Sequence, residues 1–204
     1  GVDVNYKCDA DKGQTSLIIA SRNGHAKVVS LLLQAEGILV NLGEGMQADT
    51  FRSFNSCNSC NSFARLLLRV DGVEVDQAKN DGLTALSIAS YKGNVEIVRH
   101  LLGAEGVEVN QATNNGSTAL YMASSQGHVD VVRLLLGVEG VEVNQAKNDG
   151  DNALIVASSE CHVEVVRLLL GAEGVEVNHG DNDGITALFM ASMEGYIDVV
   201  RLLL

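Results

Sequence analysis

The sequence predicts an α-class fold, an all-helical solenoid in which helix-turn-helix repeats stack side by side and short hairpin-like loops join them. Three observations predict it. One pattern returns every 34 residues, in blocks that begin at Lys79, Thr113, Lys147 and Asp181. A period in this range belongs to stacked repeat architectures. Each block holds two apolar stretches of helical spacing, typified by Thr118-Ala119-Leu120 with Ala123 and by Val129 to Leu136, separated by a polar turn. The composition is 46% hydrophobic but only 4% aromatic. That suits thin interfaces of Leu, Val, Ile and Ala between neighbouring repeats.

Residues 79–112 show how one block is built. Asn80-Asp81-Gly82 is a turn signal, with glycine supplying the positive φ that such turns need. Thr84 stands as an N-cap whose hydroxyl can accept from an orphan backbone N–H. Ala85, Leu86 and Ala89 form one face of a short first helix, and Gly93-Asn94 breaks it. Val95, Ile97, Val98, Leu101 and Leu102 give the second helix its buried side, while Glu96 and Arg99 pair at i,i+3 on the outer side. Gly103 is expected to end that helix as a left-handed residue, and Val107-Glu108-Val109 alternates like the arm of a small hairpin.

The blocks follow one another along the whole chain as a single array. The expected repeats are 11–44, a degenerate 45–78, then 79–112, 113–146, 147–180 and a truncated 181–204, or about six helix pairs. In the second, the helical pattern gives way to Asn41-Leu42-Gly43-Glu44-Gly45 and a Ser/Asn/Cys/Phe-rich stretch, and resumes at Arg65-Leu66-Leu67-Leu68. Val40 precedes Arg65 by 25 positions where Val109 precedes Arg133 by 24, so length is kept while sequence is not. A compensated frameshift in the coding DNA and a divergent insert both fit this pattern. Residues 42–63 are expected to be the weakest part of the array. The chain opens at Gly1 inside a repeat and closes on Leu202-Leu203-Leu204, so it reads as a segment of a longer protein.

At this point the residues carry a resemblance. Gly82-Leu83-Thr84-Ala85-Leu86, Ala89, Gly93, Val98, Leu101-Leu102 and Gly106-Val107-Glu108-Val109-Asn110 resemble the ankyrin repeat. The match recurs in every later block and at Lys12–Asn41. The departures matter for stability. There is no proline, and the family's Pro after Thr is Ser16, Ala85, Ala119, Ala153 or Ala187, so the first helical turn loses its preset φ. Asn152 replaces the capping Thr, and Cys161 stands where glycine would accept a left-handed backbone.

Several motifs invite chemistry that the sequence does not otherwise support. Cys57-x-x-Cys60 lies in a tandem Asn-Ser-Cys triplet and lacks the second ligand pair of a structural zinc site. Gly43-Glu44-Gly45-Met46-Gln47-Ala48 mimics a dinucleotide fingerprint without the strand–turn–helix context. His25, His128 and His162 share one repeat position, about 10 Å apart at helix-packing spacing, too far to share a metal. No cofactor, metal or catalytic residue is expected, and hence no enzyme. A net charge of −12 argues against nucleic-acid and anionic-membrane surfaces. No apolar run approaches the roughly 18 residues of a membrane span. Four cysteines without a disulfide framework suit a reducing, intracellular compartment, cytoplasmic or nuclear, and Asn115-Gly116-Ser117 is then a sequon without a glycan.

The resemblance implies a protein-binding scaffold whose concave side holds a partner protein or peptide; the alternative is a regulatory or targeting segment of a larger enzyme or channel. By that resemblance the exposed first-helix positions are Ile88, Tyr91, Met122, Ser125, Val156, Ser159, Met190 and Met193. Beside them lie the turn tips Asn80-Asp81, Asn114-Asn115, Asn148-Asp149 and Asn182-Asp183, a rim suited to a basic peptide. Ile88, Met122, Val156 and Met190 have a second reading as inter-repeat core. Asn5, Asn41, Asn110, Asn144 and Asn178 occupy the position that asparaginyl hydroxylases modify in the family, or they are hairpin residues bonded within their own turn.

Overall fold

The computed structural model describes Lys7, residues 14–34 and residues 74–204. Ten helices lie among these residues: α1 Ser16–Arg22, α2 Ala26–Leu33, α3 Ala85–Lys92, α4 Val95–Leu102, α5 Ala119–Ser125, α6 Val129–Leu136, α7 Ala153–Ser159, α8 Val163–Leu170, α9 Ala187–Glu194 and α10 Ile197–Leu203. They form five pairs. First helices stack on first helices in the order α1, α3, α5, α7, α9, and second helices follow in parallel from α2 to α10. This is the helix-turn-helix solenoid that the period predicts.

Local chemistry sets the helix starts. Thr15, Thr84, Thr118, Asn152 and Thr186 are extended N-caps, and the side chain of each accepts from the N–H three residues on. Asn152 therefore replaces threonine without loss of the bond, Ile155 N–H donating to its Oδ1 at 3.0 Å. At Thr84 the cap is doubled, because Thr84 N–H also donates to Ser87 Oγ at 2.9 Å. The second helices have no side-chain cap and depend on burial. Ile97, Val98 and Leu101, Val131, Val132 and Leu135, and Val165, Val166 and Leu169 are all sealed from solvent. Burying each such side chain contributes about 1.5–3 kcal/mol.

The core is a thin continuous sheet of aliphatic side chains between the helix layers. One polar row crosses it. Ser21, Ser90, Ser124 and Ser158 are fully buried, and their hydroxyls find no hydrogen-bond partner.

Two local expectations change. Gly103, Gly137 and Gly171 end their helices with right-handed backbone, at φ −87°, −81° and −82°. The left-handed residues come three positions later, at Gly106, Gly140 and Gly174, with φ of 79°, 80° and 74°. The loop arms expected to be strands are turns: among the described residues no strand extends beyond an isolated bridge such as Gly180 with Thr186. Cys161 behaves as expected of a residue in a glycine position, with φ 58°.

The degenerate repeat expected at 45–78 lies, save for residues 74–78, outside the described residues, as do Cys57, Cys60, Gly43 to Ala48 and the weak segment expected at 42–63.

Candidate partner-binding face

The first helices are the element that presents side chains beside the loop tips. Most of their circumference is covered. In α3 every residue from Ala85 to Ser90 is buried, and α7 is buried from Ala153 to Ser158. Ile88 at 7% exposure and Val156 at 8% are buried among the hydrophobic core, the second reading that the sequence allows for them. Met122 and Met190 at the same repeat position are half-buried, and Met190 packs against the core. Flanking repeats close over this position, so it supplies little free surface.

The next position in each repeat is the one that solvent reaches. Tyr91 is 45% exposed and Met193 59%. Ser125 and Ser159 are half-buried, and each hydroxyl donates to a carbonyl of its own helix, Met122 O and Val156 O, at 2.9 Å. The row is therefore apolar at its two ends and quietly polar between them. Phe189 is a further exposed aromatic at 54%. It lies one position before Met190, and counting only one stripe per helix leaves it out of the sequence-based row.

The tips divide by chemistry. Asn114, Asn148 and Asn182 donate their side-chain amides to the backbone carbonyls of Asn80, Asn114 and Asn148, between 2.9 and 3.1 Å. The backbone N–H groups of the same three asparagines donate to Asp81, Asn115 and Asp149 carbonyls at 3.0–3.1 Å. Each tip thus binds the tip before it twice, and these amides are fastened inside the array. Gly82, Gly116 and Gly150 make room for that ladder. A Cβ on any of them would lie 2.5–2.8 Å from the backbone of the following tip.

The carboxylates face outward. Asp81 and Asp149 each pair with the lysine two residues before, Lys79 at 2.8 Å and Lys147 at 2.6 Å. The hydrogen bond from Lys147 holds the Asp149 carboxyl below the ordinary carboxylate range. For Asp81 partial burial pushes the other way, but the Lys79 ammonium and the Leu83 N–H prevail and its pKa is also lowered. Lys147 lies 5.1 Å from the centroid of the Tyr121 ring, a cation–π distance. Burial raises Asp151, with Asp149 and Asp181 adding like charge. Asn115 Oδ1 accepts from Thr113 Oγ1 and Ser117 N–H. Asn80 and Asp183 are exposed at the tips beside them. The result is a series of acidic and amide groups in the turns that precede the first helices.

A second ladder runs through the loops after the second helices. Asn110 Nδ2 donates to Gly140 O at 2.7 Å, and its Oδ1 accepts from Glu142 N–H at 2.9 Å. Asn144 repeats both bonds with Gly174 O and Glu176 N–H. Both amides therefore serve the following repeat, where the sequence suggested a bond within their own turn. Asn178 is exposed, and Asn5 and Asn41 lie outside the described residues. At the first rung Asp76 takes the asparagine's place and accepts from Glu108 N–H at 2.8 Å. Burial and the nearby Glu108 charge raise its pKa, and that hydrogen bond only partly opposes them.

The histidines act across repeats too. His128 Nε2 lies 3.0 Å from Tyr91 O and His162 Nε2 lies 3.2 Å from Ser125 O. Among the described residues no group of three or more His, Cys, Asp or Glu side chains is placed to hold a metal ion. Nor, among those residues, is any helix long and apolar enough to cross a membrane.

Comparison with known families gives one answer. The family model described as ankyrin repeats in three copies matches residues 53–147 and 136–204, and the model for a single ankyrin repeat matches residues 12–43. No curated protein matches the sequence.

Proposed function

The chain belongs to the ankyrin-repeat family, whose arrays generally serve as protein–protein interaction modules, and we propose that this one binds a peptide or protein segment along its first-helix row. One observation carries the reading. Tyr91, Phe189 and Met193 are exposed apolar side chains on the same row of helices, and the exposed carboxylates of Asp81, Asp149 and Asp183 stand in the turns that lead into helices of that row. An apolar strip whose helices follow acidic turns suits an extended or helical segment that carries Lys or Arg beside apolar residues. Met193 and Met190 can adapt to varied shapes. The net charge of −12 would speed the approach of such a segment. No catalytic role is assigned to these residues, and nucleic acid and membranes are not proposed as partners.

The test is selection from a displayed random-peptide library against the whole chain. Peptides that pair apolar residues with Lys or Arg should be enriched. Their binding should weaken as salt rises and should fall in Tyr91→Ala and Met193→Glu, with unfolding midpoints unchanged. Enrichment of acidic peptides, or binding indifferent to both substitutions, would overturn the proposal.

A further inference from the structure

We infer that residues 14–34 and 74–78 together make one composite repeat, so that the described helices stack five repeats deep without a further repeat between α2 and α3. Three contacts lead there. First, α1 packs against α3 and α2 against α4, in the same order as α3 against α5 and α4 against α6. A whole repeat standing between them would separate these helices by about 10 Å more, the packing distance of one further helix layer.

Second, the junction carries the same inter-repeat bonds as the later ones. Asn94 occupies the repeat position of His128 and His162. Its Nδ2 donates to Ser21 O at 3.1 Å, as those rings reach Tyr91 O and Ser125 O. The Cβ that Gly24 lacks would lie 3.7 Å from Asn94 Oδ1, and the one that Gly93 lacks would meet the ring of His128. Both glycines therefore face the side chain that follows them in the stack, and for Gly24 that side chain is 70 residues away in sequence.

Third, the loop of this first repeat is supplied from beyond residue 73. Val75 belongs to the hydrophobic core at 9% exposure, and Asp76 bonds Glu108 N–H as Asn110 bonds Glu142 N–H. Helices α1 and α2 and the loop rung at Asp76 meet the same neighbouring repeat.

The sequence can be read in step with this geometry. Joining Gly37 to Val73 gives Leu33-Gln34-Ala35-Glu36-Gly37-Val73-Glu74-Val75-Asp76, which aligns residue for residue with Leu102 to Asn110. The first-helix row accordingly continues from Tyr91 to Arg22, and that face is continuous through five repeats.

Two measurements test the inference, both by hydrogen exchange. In the full chain, Asn94→Ala should speed exchange of the amides of residues 18–22 by about fivefold, the loss of one cross-repeat hydrogen bond. In a chain lacking residues 38–72, protection of α1 and α3 should equal that of the full chain. Indifference of α1 to Asn94→Ala would show that α1 and α3 are not neighbours. Loss of α1 protection on deletion would show that the two halves do not make one repeat. Either result overturns the proposal.

Discussion

At the scale of single residues, two positions cost this array stability that a substitution can restore. Cys161 holds φ 58° where the equivalent Gly93 and Gly127 hold φ 71°. A Cβ in left-handed backbone costs about 1–2 kcal/mol. Cys161→Gly should therefore stabilise the chain by about 1 kcal/mol, read from the midpoint of urea unfolding with an unchanged slope. Asp76 is the second. At Asn110 and Asn144 one amide both donates and accepts, but an ionised carboxylate at Asp76 can only accept. Burial raises its pKa above the ordinary carboxylate range. A carboxyl raised in the folded state contributes stability that is full below the unfolded pKa and lost as pH climbs through the folded one. Asp76→Asn should thus stabilise the chain at pH 7 and make little difference at pH 3. An equal gain at both pH values would mean that the carboxyl charge is not the cause. The Cys161 strain was legible from the repeat alignment alone. The Asp76 rung was not, because its partner is Glu108, 32 residues away, and nothing local marks the pairing.

At the scale of elements, the tip ladder helps explain why the same dipeptide step, Asn or Asp before Gly, recurs at the four turns from Asp81-Gly82 to Asp183-Gly184. Positive φ is one reason and the following tip is the other. The array separates them, because Gly116 and Gly184 share the turn position and the left-handed backbone, at φ 86° and 77°. A Cβ on Gly116 would lie 2.8 Å from Lys147 Cα, whereas nothing stands within 4 Å of one on Gly184. Gly184→Ala should cost only the backbone term, about 1 kcal/mol. Gly116→Ala should cost clearly more and weaken protection of the Asn148 amide, which donates to Asn115 O. Equal costs in thermal unfolding would remove the ladder as a reason for that glycine. The helices themselves were legible: Thr or Asn before Ala-Leu or Ser-Leu gave each described first-helix start, and apolar spacing gave each second helix. The exposed face was less so. Ile88 and Val156 fall on a helix so short that neighbours cover nearly all its sides, and periodicity along one chain does not record what the adjacent repeat covers. The loop arms were misread for a related reason. Val107-Glu108-Val109 alternates like a strand, but Glu108 N–H donates to Asp76 of the adjacent loop and Glu108 O accepts from Gln111 N–H in a turn.

At the scale of the whole molecule, every long-range contact described here joins one repeat to the next. The tip bonds, the loop asparagines, the histidines and the buried aliphatic rows all connect neighbours. Stability in such an array is the sum of the repeats and of the interfaces between adjacent ones, and damage spreads only through those interfaces. Position along the stack should therefore decide what a core substitution does to unfolding as well as how much it costs. Leu135 is fully buried in α6, with repeats on both sides, while Leu203 in α10 is only half-buried. Leu135→Ala should cost about 2–5 kcal/mol, the range for a truncated core leucine. It should also divide the transition, because the repeats before and after it lose their coupling while keeping their own interfaces. Leu203→Ala should cost less and leave one transition with slightly earlier fraying of α9 and α10. Hydrogen exchange followed through a denaturant series resolves the two cases, since α3 and α8 should lose protection at different concentrations in the Leu135 variant and together in the Leu203 variant. Simultaneous loss in both would mean that cooperativity reaches past adjacent repeats, and the nearest-neighbour account of this chain would fail.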